Sequence, residues 1–272
     1  MNIQHKSIFV FLIISGLFLS AVNAQKEVVT VKYRYESKKE CSSDSGITYL
    51  TYHIRPDIMR LDFNGPSSNS SIIYQPSAKK VWVIYRHEKV YYIMTNDDIK
   101  LLEDQIEIAR QEMIRSQQGL SDQDKKAVQS IWPNGNPFET ENTTYEPVKK
   151  KDSLVSQLMC KRFDGQLPNG SVKRVYVHNL KSTGLKDDQL AILTSFGDFM
   201  GYGSQMLAGN LDFVSFKKWD IGGYPILIEK RGGDVVCTSL LLNEIYTKKR
   251  KDDFFVIPNG YGIIDNPVGT GY

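Results

Sequence analysis

Between residues 28 and 94, six short runs rich in β-branched and aromatic residues are separated by turn signals, the first alternating cleanly between apolar and polar. That pattern restricts the fold more than any other feature. In 28–36, Val29, Val31, Tyr33 and Tyr35 fall on one face, and Thr30, Lys32, Arg34 and Glu36 on the other. This is the mark of a half-buried strand. "ITYLTYHI" and "IMRLDF" follow across Arg55-Pro56-Asp57, then "SIIYQ", "KVWVIYR" and "VYYIM", with Gly65-Pro66 and Pro76-Ser77 between runs. Short runs joined by tight turns form an antiparallel meander. The last two, joined by Arg86-His87-Glu88-Lys89, are apolar on both faces, which predicts cover on both.

After Thr95 the period changes. Thr95 with Asp98 makes a capping box, and Asp97 and Asp98 suit the positive end of a helix dipole. Ile99, Leu102, Ile106, Ala109 and Met113 then recur at three- and four-residue steps, and Gly119 ends the helix. Ser121 with Asp124 signals a second short helix carrying Ala127, Val128 and Ile131, stopped by Pro133. A loop-rich stretch holds a candidate strand in "TTYEPV". "SQLMCKRFDG" and "SVKRVYVHN" form a second hairpin around Asn169-Gly170. Residues 186–200 read as a helix with Asp187 and Asp188 at its start and Leu190, Leu193, Phe196 and Met200 on one stripe. "YPILIEKRGGDVVCTSLLLNEI" is a third hairpin, turning at Gly232-Gly233. Sheets and helices in this order, with antiparallel hairpins throughout, predict one α+β domain over 25–272.

Residues 1–24 are set apart from it. Lys6 precedes the apolar run "SIFVFLIISGLFLSA", and small residues at Val22 and Ala24 frame a cleavage site. This is a signal peptide, with the mature chain starting at Gln25; an uncleaved signal-anchor helix is the alternative. The mature chain is then exported, to the periplasm or beyond the cell, with no transmembrane segment left. Losing Lys6 leaves 33 Lys+Arg against 31 Asp+Glu, a net charge near +2. That balance gives no footprint for nucleic acid. The clusters Lys149-Lys150-Lys151 and Lys248-Lys249-Arg250-Lys251 run straight into aspartate and read as solvated turns, with anionic-surface contact as the alternative.

Three cysteines are an odd number for an oxidising compartment. Cys160 and Cys237 both lie in strand-like segments and are candidates for a disulfide if those strands are neighbours; alternatively both are small buried hydrophobes. Cys41, in the polar turn "KKECSSDSG", is exposed or pairs with one of the other two.

The residues that usually carry chemistry are scattered. His53 and His178 lie in strands and His87 in a turn, and none has a second ligand at metal-binding spacing. "GYGSQ" around Ser204 lacks the frame of a nucleophile elbow. Gly201 and Gly203 follow a helix and cradle no phosphate. Asp97-Asp98 and Asp187-Asp188 are explained by helix starts, and Asp252-Asp253 precedes a run read as a strand. Asn69, Asn142 and Asn169 are sequons, relevant only in a eukaryotic secretory pathway. The expectation is a protein that is not an enzyme and needs no cofactor.

Several motifs occur in a characteristic order: "MRLDF", "VWVIYRHEKVYYIM", "LSDQDKKAVQSI", "LMCKRFDG", "RVYVHNL", "DDQLAILTSFGDF", "GGYPILIEKRGG" and "DDFFVIPNGY". Over nearly the whole mature chain they resemble the bacterial exported domain-of-unknown-function family 4412. That resemblance implies a LolA-like fold, a curved antiparallel half-barrel with helices on its concave face. It implies a relation to carriers of acyl chains and supplies no catalytic residue. The chain departs from many members in lacking a methionine-dense helix and in its longer polar tail, "IIDNPVGTGY".

The expected site is therefore the concave face, holding a lipid or other hydrophobic ligand. Ile99, Leu102, Ile106 and Met113 would line it from the first helix, Leu193 and Met200 from the later one, and Trp82, Ile84 and Tyr92 from the sheet. The alternative is a filled core in an envelope structural or protein-interaction module whose partner the sequence does not name.

Overall fold

The computed structural model describes residues 25–41, 45–66, 69–121, 123–124, 145–148, 152–167, 170–179, 183–200 and 223–266. Residues 1–24, Asn142, Asn169, "GYGSQ", Lys149-Lys150-Lys151 and most of the second short helix lie outside the described residues.

The alternating runs become strands β1 (Lys26–Ser37), β2 (Gly46–Ile54), β3 (Met59–Asn64), β4 (Asn69–Gln75), β5 (Lys80–Tyr85) and β6 (Val90–Thr95). Helix α1 (Asn96–Gln118) follows, then β7 (Tyr145–Pro147), β8 (Ser153–Val155), β9 (Leu158–Gln166) and β10 (Val172–His178). Helix α2 (Asp187–Met200), β11 (Tyr224–Gly232), β12 (Val235–Arg250) and the short β13 (Gly262–Ile263) complete the order. The strands form one 13-stranded sheet in the order β13-β6-β5-β4-β3-β2-β1-β12-β11-β10-β9-β7, with β8 beside β9. β13 runs parallel to β6, and the other pairings are antiparallel. The sheet curves but does not close. Tyr33 of β1 and Tyr224 of β11, two strands apart, lean together with ring centres 6.5 Å apart, and the Tyr33 hydroxyl donates to the Pro225 carbonyl at 3.1 Å.

Residues directly opposed in a ladder share a face. Val31, Tyr52, Leu61, Ile72, Val83 and Tyr92 oppose one another across six strands and form the spine of the inner face, all of them buried. Both helices lie on it. Asp98 caps α1 as expected: its Oδ2 accepts from the Thr95 amide at 2.7 Å, and Thr95 Oγ1 accepts from the Asp98 amide at 3.3 Å. Helix α2 is held by Tyr74, whose hydroxyl sits 2.7 Å from Ser195 Oγ and whose ring packs 5.3 and 5.4 Å from Phe196 and Phe199.

The outer face of β1–β4 carries a buried polar cluster. Thr30 Oγ1 lies 3.1 Å from His53 Nδ1, and His53 Nε2 lies 3.4 Å from Asp62 Oδ2. Arg60 Nε and the Ser71 hydroxyl both donate to Asp62 Oδ1, at 2.8 and 2.5 Å. The residues after β12 return as a strap across this face. Asp252–Phe255 form a 3-10 turn, where the sequence suggested the approach to a strand. The Phe254 ring sits 4.7 Å from the His53 ring, between the guanidinium groups of Arg60 at 4.8 Å and Arg250 at 4.5 Å. Arg60 Nη1 also donates to the Phe254 carbonyl at 2.8 Å. The strap then adds β13 to the edge of β6. Ile73 and Ile84, on the same face, are 1% exposed, while Trp82, Tyr91 and Ile93 are half-buried, so the predicted cover of the last two strands is partial on this face. On β9–β11 the outer face is instead a half-buried charge ladder, in which Asp164 pairs with Arg162 and Arg174, and Glu229 with Arg231.

Two expectations are corrected. Lys248, Lys249 and Arg250 are not a turn; they are the end of β12, opposed to Val28, Glu27 and Lys26. Lys248 and Lys249 are exposed, while the Arg250 guanidinium packs on the Phe254 ring. The disulfide joins Cys41 to Cys237, not Cys160 to Cys237. Cys160 is in β9, and β10 and β11 stand between it and β12. The turn after β1 brings Cys41 in instead: the Lys38 amide donates to the Cys237 carbonyl, and the Cys41 amide donates back to Lys38. Cys160 is a buried free thiol, its pKa raised by burial and by the nearby Asp152. Titration with a thiol reagent is expected to find one reactive group per chain in denaturant without reductant, and essentially none in the folded protein.

Candidate functional site

Five of the nine predicted lining residues come together. Tyr92, Ile99, Leu102, Leu193 and Met200 all belong to one continuous buried cluster on the inner face. Ile106 and Met113 lie within α1, with side chains outside the described residues. Trp82 and Ile84 do not join them. The turn at 86–89 sets Tyr85 opposite Val90, so Tyr92 opposes Val83 while Trp82 and Ile84 oppose Ile93 and Tyr91. Alternation therefore sends Trp82 and Ile84 to the outer face. Leu102, 9% exposed, is packed as core. Leu102→Ala is expected to destabilise by about 2–3 kcal/mol, the low end for a buried leucine because the site is close to the surface; urea unfolding measures it.

Deeper in the inner face three tyrosines meet. The Tyr33 and Tyr52 rings stand edge to face at 6.1 Å, and Tyr33 also stacks on Tyr224. Burial raises the pKa of all three hydroxyls, so they are neutral at physiological pH. Among the described residues the Tyr52 hydroxyl has no hydrogen-bond partner. A buried hydroxyl without a partner carries its full desolvation penalty. Tyr52→Phe is therefore expected to leave stability unchanged or to raise it by up to about 1 kcal/mol, read as a shift in melting temperature.

An open pocket of about 760 Å³ lies at the rim of the inner face, between the β3–β4 and β5–β6 turns. Asn64, Gly65, Pro66, Asn69, Ser70, Tyr85, His87 and Glu88 line it. Ser70 opposes Tyr85 in the ladder, and both lie on the inner face with Val83 and Tyr92. The Tyr85 and Tyr92 rings are 6.1 Å apart, so the pocket wall continues directly into the apolar spine. Arg86 braces the rim from behind, donating to the Phe63 carbonyl at 2.5 Å and to Asn64 Oδ1 at 2.8 Å. Sequence reasoning missed this site because two distant turns build it. An exposed aromatic closing a strand beside a polar turn, Tyr85 before Arg86-His87-Glu88, is the one local signal of it.

The three described histidines are dispersed: His53 within the outer-face cluster, His87 at the pocket, and His178 with Nδ1 2.7 Å from the Met159 carbonyl. Among the described residues no three His, Cys, Asp or Glu side chains converge to hold a metal ion.

No protein-family model and no curated protein matches the chain, so the resemblance to family 4412 stands on its quoted motifs alone. Solved structures resemble it in outline. An uncharacterised conserved protein from Thermus thermophilus aligns over 92% of this chain and 98% of its own, at 10% identity and a TM-score of 0.41. MucB, solved in complex with MucA(peri), aligns over 88% of this chain and 57% of its own, at 7% identity and a TM-score of 0.38. A domain from Vibrio parahaemolyticus assigned as an outer membrane lipoprotein-sorting protein domain aligns over 90% of this chain and 95% of its own, at 9% identity and a TM-score of 0.26.

Proposed function

We propose that the chain is an exported, non-catalytic binding protein. It takes a hydrophobic or amphiphilic ligand, a lipid or acyl chain, at the inner face of its sheet through the rim pocket. The observation that carries this reading is the continuity of that pocket with the apolar spine: Tyr85 stands in its wall, and Tyr92 and Val83 lie directly behind. Its volume falls in the range of small-molecule sites. The helix stripe is the floor and packing of this arrangement, and the binding surface is at the rim. Export is supported by the Cys41–Cys237 disulfide, which belongs to an oxidising compartment. No described helix is long and apolar enough to cross a membrane.

The test is native mass spectrometry of protein purified from its exporting host, followed by organic extraction. A co-purifying acyl species, and uptake of cis-parinaric acid by the delipidated protein, are expected. A protein that carries nothing and takes up no probe ends the proposal. Intact mass is expected to begin at Gln25.

One observation favours a second reading, a protein-interaction module. Leu154 and Met159 oppose each other across β8 and β9, and are 70% and 56% exposed. An apolar pair at a sheet margin is a surface that partners use. Under that reading Leu154→Asp abolishes capture of a partner and leaves parinaric acid uptake unchanged.

A further inference from the structure

The rim pocket is specific about charge. Among the described residues its wall contains one carboxylate, Glu88, and one imidazole, His87, and no lysine or arginine. The guanidinium closest in sequence, Arg86, is turned away onto the Phe63 carbonyl and Asn64 Oδ1. A carboxylate or phosphate head group entering here would meet Glu88, while the nearest guanidinium, Arg86, is already engaged by the Phe63 carbonyl and Asn64. A quaternary ammonium would find a single aromatic ring, Tyr85, in place of a cage.

What remains is neutral and rich in hydrogen-bonding groups. Because Arg86 occupies Asn64 Oδ1, the Asn64 amide NH2 is left to donate. Asn69 offers both an amide donor and an acceptor, Ser70 a hydroxyl, and Glu88 two acceptor oxygens suited to a pair of adjacent hydroxyls. Beside them the Tyr85 ring, 37% exposed, presents a flat apolar surface to which the C–H face of a pyranose conforms. We infer that the rim pocket recognises an uncharged, polyhydroxylated head group, that of a glycosylated lipid. Glu88 and Asn64 are its specificity residues and Tyr85 its platform. The inference rests on the rim pocket being the ligand's point of entry, as proposed above.

The experiment is isothermal titration of the full mature chain with three eight-carbon probes, each below its micellar concentration: octyl β-D-glucopyranoside, octanoate and octyltrimethylammonium. The glucoside is expected to bind at least about tenfold more tightly than either ion, as one well-made charge-assisted hydrogen bond provides. Glu88→Ala, in an exposed turn, is expected to remove that preference, weakening the glucoside and strengthening octanoate, and to leave the melting temperature unchanged. Equal binding of all three probes, tighter binding of either ion, or a glucoside preference that survives Glu88→Ala overturns the inference while leaving apolar binding intact. Binding of none of them by the wild type, together with no parinaric acid uptake, removes both the inference and the proposed function.

Discussion

Replacing both Cys41 and Cys237 with serine is expected to destabilise the protein by roughly 3–5 kcal/mol, among the largest effects of any change short of breaking the sheet. The bond spans 196 residues of sequence, so it removes a large closure entropy from the unfolded chain. The chain-entropy estimate for so long a loop is about 5 kcal/mol, and structure left in the unfolded state lowers it. The contrast with Cys160→Ser sharpens the test: that change puts a hydroxyl into an apolar site and costs about 1–3 kcal/mol without depending on redox conditions. Denaturant unfolding with and without reductant distinguishes them. Reductant is expected to shift the wild type toward the double mutant and to leave the double mutant where it is.

The second large effect lies under the strap. Asp62→Ala is expected to cost roughly 3–5 kcal/mol, because it leaves the part-buried Arg60 without its carboxylate and removes an acceptor from Ser71. The wild-type contribution depends on pH. Burial works to raise the Asp62 pKa, but the hydrogen bond with His53, the charge of Arg60 and the Ser71 hydroxyl together hold it well below the usual carboxylate range. The folded value is lower than the unfolded one, so the stabilisation is complete above the unfolded pKa of about 4 and is lost as pH falls toward the folded value. Unfolding free energies measured from neutral pH into acid are expected to fall more steeply for the wild type than for Asp62→Ala. Since Arg60 also grips Phe254, amide exchange at Gly262 and Ile264 is expected to quicken in the variant.

Local signals in the sequence are sufficient for much of this architecture. Period-two alternation locates the meander, the Thr95–Asp98 pair places the start of α1, and the glycine pair at 232–233 marks the last hairpin. What escapes depends on contacts between distant segments. Size and hydrophobicity group Trp82 and Ile84 with Tyr92; only the pairing of Tyr85 with Val90 assigns their faces, and both faces of this hairpin are apolar. The disulfide partner is unreadable until the strand order separates β9 from β12. The strap gives no periodic signal, because arginine side chains hold Phe254 and Phe255 where a strand would be held by a ladder. The rim pocket is invisible for a related reason: its two walls are turns with β4 and β5 between them in the chain.

The partnership of β1 with β12 has a consequence for how the chain is made. Lys26 opposes Arg250, so during synthesis the first strand keeps one ladder of amides and carbonyls open until residue 250 has emerged. An open ladder of that kind recruits any extended neighbour, and pairing across such a separation in sequence is slow. The nascent molecule is therefore unable to finish early. β1 gains its second neighbour only when β12 emerges, and the Cys41–Cys237 bond, which joins the same two segments, closes no earlier. A chain with that timetable stays threadable for as long as it is being made.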